Sequence, residues 1–170
     1  MSLRALSVGR LAPVKDFPLL LTAWVHVNIP LQIAGEGPEK DDLIGLQKAL
    51  RLEDRVEFLG HRSDVDTLYT NADLVVVPSR REGFGYVTLE ALQHRCVVIA
   101  THTGIAEELI PDQYLVQSSP QELANTVNWT INNLSTARTD FGPVWDYANT
   151  LTVEKMTDAT LAVYDLLLAP

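Results

Sequence analysis

Six short apolar runs, separated by stretches of helical periodicity, constrain this chain more than anything else in it. Leu3 to Val8, Pro30 to Ala34, Val56 to Leu59, Leu74 to Val77, Val97 to Ala100 and Tyr114 to Val116 are each of strand length and barely alternate between apolar and polar residues. Strands look like this when helices cover both faces, as in a parallel sheet. The intervening segments fit helices over Phe17 to Val27, Glu39 to Leu50, Val65 to Asn71, Tyr86 to Arg95 and, briefly, Ala106 to Leu109. The βαβ rhythm predicts a doubly wound α/β fold with right-handed connections. After the sixth run only helical patterns remain. Ser119-Pro120-Gln121-Glu122 starts a helix to about Leu134, with Ser119 as cap, Pro120 at the first position and Glu122 reaching back to the cap amide. Gly142-Pro143 reads as a break, and a last helix is expected from Val153 to Leu168, with Met156, Val163, Tyr164 and Leu167 near one face.

Open α/β sheets bind ligands where strands end and helices begin. The junction most marked in this way is Pro78-Ser79-Arg80-Arg81-Glu82-Gly83-Phe84-Gly85-Tyr86-Val87-Thr88-Leu89-Glu90-Ala91. Gly83 and Gly85 permit close backbone approach. The amides near Phe84, Gly85 and Tyr86 are the free donors of a helix start, suited to anionic or hydroxyl-rich ligands. Glu90, about a turn into the helix, can accept two hydrogen bonds from a vicinal diol such as a ribose, and Glu82 can grip sugar hydroxyls. The spacing alone favours a plainer reading: a solvated turn acid and a helix acid beside a favourable dipole.

Arg10 and Lys15 flank the loop after the first run, also at a C-terminal strand end. A fork and a mobile point charge there can neutralise a diphosphate. Gly35-Glu36-Gly37-Pro38 is either a tight turn or backbone passing close to a ligand. It lacks the third glycine of a dinucleotide fingerprint, and the loop after the first run lacks that fingerprint altogether, so a nicotinamide or flavin dinucleotide reading fails. There is no G-x-x-x-x-G-K-[ST] and no G-x-S-x-G, which argues against a P-loop NTPase and against a serine hydrolase. Asp64-Val65-Asp66 resembles a metal-binding D-x-D, but its context favours structure: Ser63 caps a helix and the two acids occupy its first turn. His26, His61, His94 and His102 form no ligand pattern. His61 borders a base pocket or is an exposed loop histidine; His94 and His102 read as surface or packing residues.

Composition narrows the partners. The 170 residues carry a formal charge of −9 and are 46% hydrophobic, which fits a globular chain and argues against a nucleic-acid or membrane-surface binder. Cys96 is the only cysteine, so no internal disulfide and no cysteine-based zinc cluster can form. A reducing, cytoplasmic setting is the simplest expectation, with the inner face of the membrane as a peripheral station for a longer parent protein.

Taken in order, the pieces resemble the C-terminal, donor-binding domain of the retaining group 1 glycosyltransferases, which have the GT-B fold. The matches are Val8-Gly9-Arg10-Leu11 with Lys15, Ile33-Ala34-Gly35-Glu36-Gly37-Pro38, Val56-Glu57-Phe58-Leu59-Gly60, Leu68-Tyr69, Ala72-Asp73, Pro78-Ser79, Glu82-Gly83-Phe84-Gly85, Glu90-Ala91, Val97-Val98-Ile99-Ala100, and Gly104 with Glu107. The resemblance implies a Rossmann-like half of a GT-B enzyme and a hexosyltransferase-like activity in polysaccharide biosynthesis. Arg10 and Lys15 would bind the donor diphosphate and act catalytically with Glu82. Glu82 would contact the transferred sugar, with Gly83, Phe84, Gly85 and Tyr86 around it. Glu90 would hold the ribose, Leu59, Gly60, His61 and Arg62 would edge the base, and Gly35 and Gly37 would line the donor. The donor is a nucleoside-diphosphate sugar, and the family needs no metal and no cofactor.

The resemblance also implies an N-terminal acceptor domain that this chain does not contain. Residues 1–170 are then one nucleotide-sugar-binding domain, incomplete for transfer alone, with exposed apolar surface near the cleft and the last helix. The acceptor, whether sugar, lipid or protein, stays open. Two departures concern local shape: the family usually has glycine where Arg95 stands and proline where Val97 stands, and Thr103-Gly104 replaces a glycine pair. A non-catalytic nucleotide-sugar-binding module and half of a sugar-nucleotide epimerase are the alternative readings.

Overall fold

The computed structural model describes the backbone of residues 3–168 and the side chains of residues 3–164. Six parallel strands form one sheet: β1 (Ala5–Val8), β2 (Leu31–Ala34), β3 (Val56–Gly60), β4 (Leu74–Val77), β5 (Val97–Thr101) and β6 (Leu115–Val116), in the order β3-β2-β1-β4-β5-β6. Every residue of β4 and β5 is buried, which explains why both are apolar except for Thr101 at the end of β5. The order reverses between β1 and β4, where Ala5 and Leu6 pair with Leu74 and Val75. That reversal opens a crevice at the C-terminal strand ends. Inside the sheet, the buried Ser7 hydroxyl donates to the Val76 carbonyl at 2.7 Å, so the one polar side chain of β1 is satisfied.

Helices α1 (Phe17–Trp24) and α2 (Lys40–Ala49) follow β1 and β2 and pack on each other. Helices α3 (Val65–Thr70), α4 (Tyr86–Gln93) and α5 (Ala106–Leu109) follow β3, β4 and β5. Strand order runs outward in opposite senses on the two sides of the crevice, so right-handed crossovers put α1 and α4 on opposite faces. Gln47, on the buried side of α2 with Leu43, donates to the Val56 carbonyl.

The C-terminal part departs from expectation. Gly142-Pro143 does not break the chain: both lie inside α7 (Leu134–Ala148), which follows α6 (Pro120–Asn132) after a turn at Asn133. Pro143 has no N–H for the Thr139 carbonyl, a loss of about 3 kcal/mol in an ordinary helix interior. Burial outweighs it. Ala137, Phe141, Trp145 and Ala148 recur at helical spacing and are all buried, and the Trp145 indole donates to the Cys96 carbonyl at 2.8 Å. Helix α6 packs on α1 and α7 packs on α4, so the two together pass around the β6 edge from one face to the other. Ser119 caps α6 through a long contact from the Glu122 amide, 3.4 Å. The reciprocal half of the expected box is not formed, because the Ser119 amide donates to the Gln117 carbonyl instead. Ser63 does not cap α3; Asp64 stands at that position, and its side chain pairs with Arg62.

The last helix, α8, spans Val153–Leu168 as the periodicity indicates. Val153, Met156, Leu161, Val163 and Tyr164 on it are exposed, as are Phe84 and Tyr86 at the crevice. The Leu167 side chain lies outside the described residues.

Arg95 shows what replaces the usual glycine. Its φ is 59°, in the left-handed region. The Cys96 amide donates to the Ala91 carbonyl and the Arg95 amide to Leu92, both at 3.0 Å, which is the hydrogen-bond pattern of a Schellman cap. The helix therefore ends as a glycine-capped helix would, with an arginine held in the strained conformation. Arg51 ends α2 in the same way, at φ 57°.

Two substitutions test this account. Arg95→Gly should raise stability by about 0.5–1 kcal/mol, because relief of the left-handed penalty of about 1–2 kcal/mol exceeds the added chain entropy. Pro143→Ala should raise it by about 1–3 kcal/mol by restoring the helix bond at an exposed position. Both are read as a higher urea midpoint at unchanged m-value. A lower midpoint for Pro143→Ala would mean that α7 needs the proline.

Candidate active site at the sheet crossover

The crevice is bridged by contacts between the loops after β1 and β4. The β1 loop runs through a 3-10 turn, Pro13–Lys15, to Asp16, whose φ of 49° turns the chain into α1. The β4 loop meets it at three points. Lys15 Nζ donates to Glu82 Oε1 at 2.6 Å. Arg80 forks onto Asp16, with Nε to Oδ2 at 2.7 Å and an Nη to Oδ1 at 3.1 Å. The Arg80 amide donates to the Val14 carbonyl at 2.8 Å. The Ser79 hydroxyl also donates to Glu82 Oε1, at 2.6 Å.

Apart from Arg80, whose side chain is 63% exposed, these charged groups are largely shielded from water. The side chains of Lys15, Glu82 and Asp16 are 20%, 11% and 6% exposed, so each charge depends on its partner. Lys15 has three donors and gives one to Glu82, which leaves two for an anion in the crevice. The β5 loop closes the other flank: the Ile105 amide donates to the Phe84 carbonyl at 2.7 Å, and the Thr101 hydroxyl donates to the Ser79 carbonyl. Gly85, left-handed at φ 99°, starts α4, so the amides that begin the helix have no acceptor in the helix itself.

Arg10 is exposed and lies elsewhere on the rim. It lines a cleft of ≈ 340 Å³ over the ends of β1, β2 and β3, with Gly35, Glu36, His61, Arg62 and Val65. Arg62 is held in a fork by Asp64, at 2.7 and 2.6 Å, and its guanidinium is stabilised first by those hydrogen bonds and then by the Asp64 charge. Leu59 and Gly60 end β3 and are partly buried beside this cleft. Gly35 and Gly37 have a demand of their own. A Cβ on Gly35 would run into the Gly9 carbonyl oxygen, and one on Gly37 into the Leu11 carbonyl. They let the β2 loop lie directly on the β1 loop, a close approach of backbone to backbone.

Glu90, exposed on α4, does not touch Glu82. One of its oxygens, Oε2, accepts from the Tyr69 hydroxyl at 3.1 Å. Tyr69 is buried, and burial first, then the Glu90 charge, pushes its phenol well above the usual range, so it stays a donor. Phe84 and Tyr86 pack against each other on the exposed side of the same loop, ring centroids 5.0 Å apart and tilted by 49°, and Gly83 lies in the open turn before them. Asp64 and Asp66 diverge: Asp64 faces Arg62, while Asp66 is nearly fully exposed, 3.4 Å from His94. Among the described residues, no three histidine, cysteine, aspartate or glutamate side chains gather into a metal-binding group.

The structure thus joins Lys15 with Glu82, and Arg10 with Gly35, His61 and Arg62. Sequence reasoning did not single out Ser79 as a partner of Glu82, the Asp16–Arg80 fork, or the hold of Tyr69 on Glu90. The fork links residues 64 apart, and no local pattern carries it.

Comparison with known proteins agrees with this geometry. Residues 2–142 match the glycosyl transferases group 1. An uncharacterized glycosyltransferase of Haemophilus influenzae is 35% identical over 138 residues, which is 75% of this chain and 39% of that protein. The amylovoran biosynthesis glycosyltransferase AmsD of Erwinia amylovora is 34% identical over 125 residues, 71% of this chain and 36% of that one. The chain therefore spans less than two fifths of the length of either relative. The crystal structure of Anabaena Alr3699/HepE in complex with UDP and glucose superposes with a TM-score of 0.86 at 28% identity, covering 95% of this chain and 48% of that one. Sucrose-phosphate synthase from Thermosynechococcus elongatus gives 0.89 at 26% identity over 99% of this chain and 46% of that one. A Rossmann-like sheet of this order, a bridged crossover crevice and a family match over residues 2–142 make this chain a member of the group 1 glycosyl transferases.

Proposed function

We propose that this chain is the donor-binding half of a retaining glycosyltransferase, which takes a sugar from a nucleoside-diphosphate sugar and passes it to an acceptor held by a second domain. The observation that carries the reading is the Lys15–Glu82 pair at the crossover of the sheet, where a strand-end loop and a helix start meet. Supporting it, the HepE structure with 28% identity was solved with UDP and glucose.

In this reading the diphosphate lies against Lys15 and the first amides of α4, with Arg10 closing over it from the rim. The two spare donors of Lys15 and the positive helix end offset the charge that grows on the leaving diphosphate. No metal is needed for that task. Glu82 is fixed by Lys15 and Ser79 through one oxygen, which leaves Oε2 for hydroxyls of the transferred sugar. Gly83, Phe84, Gly85 and Tyr86 supply backbone around it. Glu90 takes the ribose diol, while Leu59, Gly60, His61 and Arg62, with Gly35 and Gly37 opposite, border the base. Departure of the diphosphate and attack by the acceptor from the same face would retain the anomeric configuration. The acceptor hydroxyl comes from the second domain, so the chain alone binds donor without completing transfer.

Calorimetric titration of the 170-residue chain with UDP, ADP and GDP tests this. At least one should bind at millimolar concentration or below, and Lys15→Ala should weaken it roughly tenfold or more, the equivalent of about 1.5–3 kcal/mol for a charged hydrogen bond. Absence of heat with all three would defeat the assignment.

A further inference from the structure

We propose that Tyr69 is a positioning residue for nucleotide recognition: its hydroxyl holds the Glu90 carboxylate in the one orientation that can take a ribose diol. The inference rests on the donor-binding reading above and assigns a task to a residue on another helix. Tyr69 belongs to α3 and Glu90 to α4, and the hydroxyl donates to Glu90 Oε2 at 3.1 Å.

Glu90 itself is exposed, on the surface of α4. A glutamate so placed is free to rotate, and fixing its rotamers on binding carries an entropic cost. Tyr69 removes much of that freedom beforehand. Its ring is 1% exposed and cannot move without disturbing the core. His94 supports it from outside, with ring centroids 5.2 Å apart and Nδ1 2.8 Å from the Glu90 carbonyl oxygen. The other charged group facing this cluster is Asp66, 3.4 Å from His94 Nε2. The phenol is kept protonated by burial, so it donates throughout the working pH range.

One hydrogen bond does not exhaust the carboxylate. Two oxygens offer about four acceptor positions. With one taken by Tyr69, the rest suffice for two vicinal hydroxyls. Val65 lines the cleft over β1, β2 and β3, and Tyr69 lies four residues on, along the same side of α3. The residue that anchors Glu90 therefore shares a helix face with the wall of the cleft that the base would enter.

The test uses Tyr69→Phe, which removes one oxygen and keeps the ring. Glu90 is exposed, so water replaces the lost donor and the fold is retained; a thermal melt checks this. Calorimetry then compares UDP with 2′,3′-dideoxy-UDP, which has no diol, and ADP and GDP with their dideoxy forms in parallel. Wild type should prefer the ribonucleotide. Tyr69→Phe should reduce that preference about three- to tenfold, toward the value for Glu90→Ala, and leave dideoxy affinity unchanged. An unchanged preference would overturn the proposal, and so would equal weakening of both forms, which would mark Tyr69 as structural. If wild type binds a diphosphate but does not distinguish the two forms, the ribose assignment of Glu90 fails and takes this inference with it. If no diphosphate binds, the donor reading has failed first.

Discussion

Two ion pairs across the sheet crossover hold the site together. Lys15–Glu82 and Asp16–Arg80 each join the β1 loop to the β4 loop, from nearby positions on the two loops. Neither loop has regular structure of its own beyond the 3-10 turn, and Asp16 sits in a left-handed conformation that few residues adopt willingly. Lys15, Glu82 and Asp16 are shielded enough that losing the partner leaves their charge poorly solvated, whereas Arg80 keeps much of its water. Hydrogen bonds offset that cost: Glu82 has Ser79 as well as Lys15, and Asp16 has both arms of Arg80. A loop pair tied in this way presents Lys15 and the start of α4 at a fixed separation before any ligand arrives, which is what an electrostatic site needs.

The glycines of the β2 loop extend the same construction sideways. Gly35 and Gly37 let that loop rest on the backbone of Gly9 and Leu11, and the Leu11 amide donates back to the Glu36 carbonyl at 2.9 Å. On the other side the β5 loop is bonded to Phe84. Four strand-end loops thus form one continuous hydrogen-bonded rim. The chain as a whole is acidic, at −9, and the cations at the strand ends come mostly paired: Lys15 with Glu82, Arg80 with Asp16 and, on the neighbouring β3 loop, Arg62 with Asp64. Net charge does not exclude a small anionic ligand, because local cations and helix starts decide that.

Much of this was legible in the sequence because burial writes a simple pattern. Strand β4 and helices α5 and α8 have the bounds that periodicity suggests, and a sheet covered on both faces leaves little else for the six apolar runs to be. The usual glycine at position 95 marked the end of α4 as a place to look, but the sequence left open whether the helix ends differently there or tolerates strain; the structure shows the latter, at φ 59°. What failed was local grammar overridden by tertiary contact. Gly142-Pro143 is a helix breaker by its own chemistry, and only the buried series Ala137, Phe141, Trp145 and Ala148 keeps α7 intact through it. Ser63 lost its capping role to Asp64. The contacts that orient the candidate site, Arg80 on Asp16 and Tyr69 on Glu90, join residues 64 and 21 apart, and no spacing rule reaches that far.

The passage of α6 and α7 around the β6 edge sets an order of events during synthesis. A chain emerging from the ribosome presents β1 through β5 before residues 120–148, with α1 and α4 in place but each lacking the helix that packs on it. The carbonyl of Cys96 has no indole to bond, and Gln93 cannot yet reach Ala148 and Leu151. Both faces of the sheet close only when residues 120–148 are out. The loops that would grip a nucleotide are complete before the scaffold beneath them is sealed, so apolar faces of the sheet stay open until residues 120–148 have been made, which is when a chaperone would find most to bind.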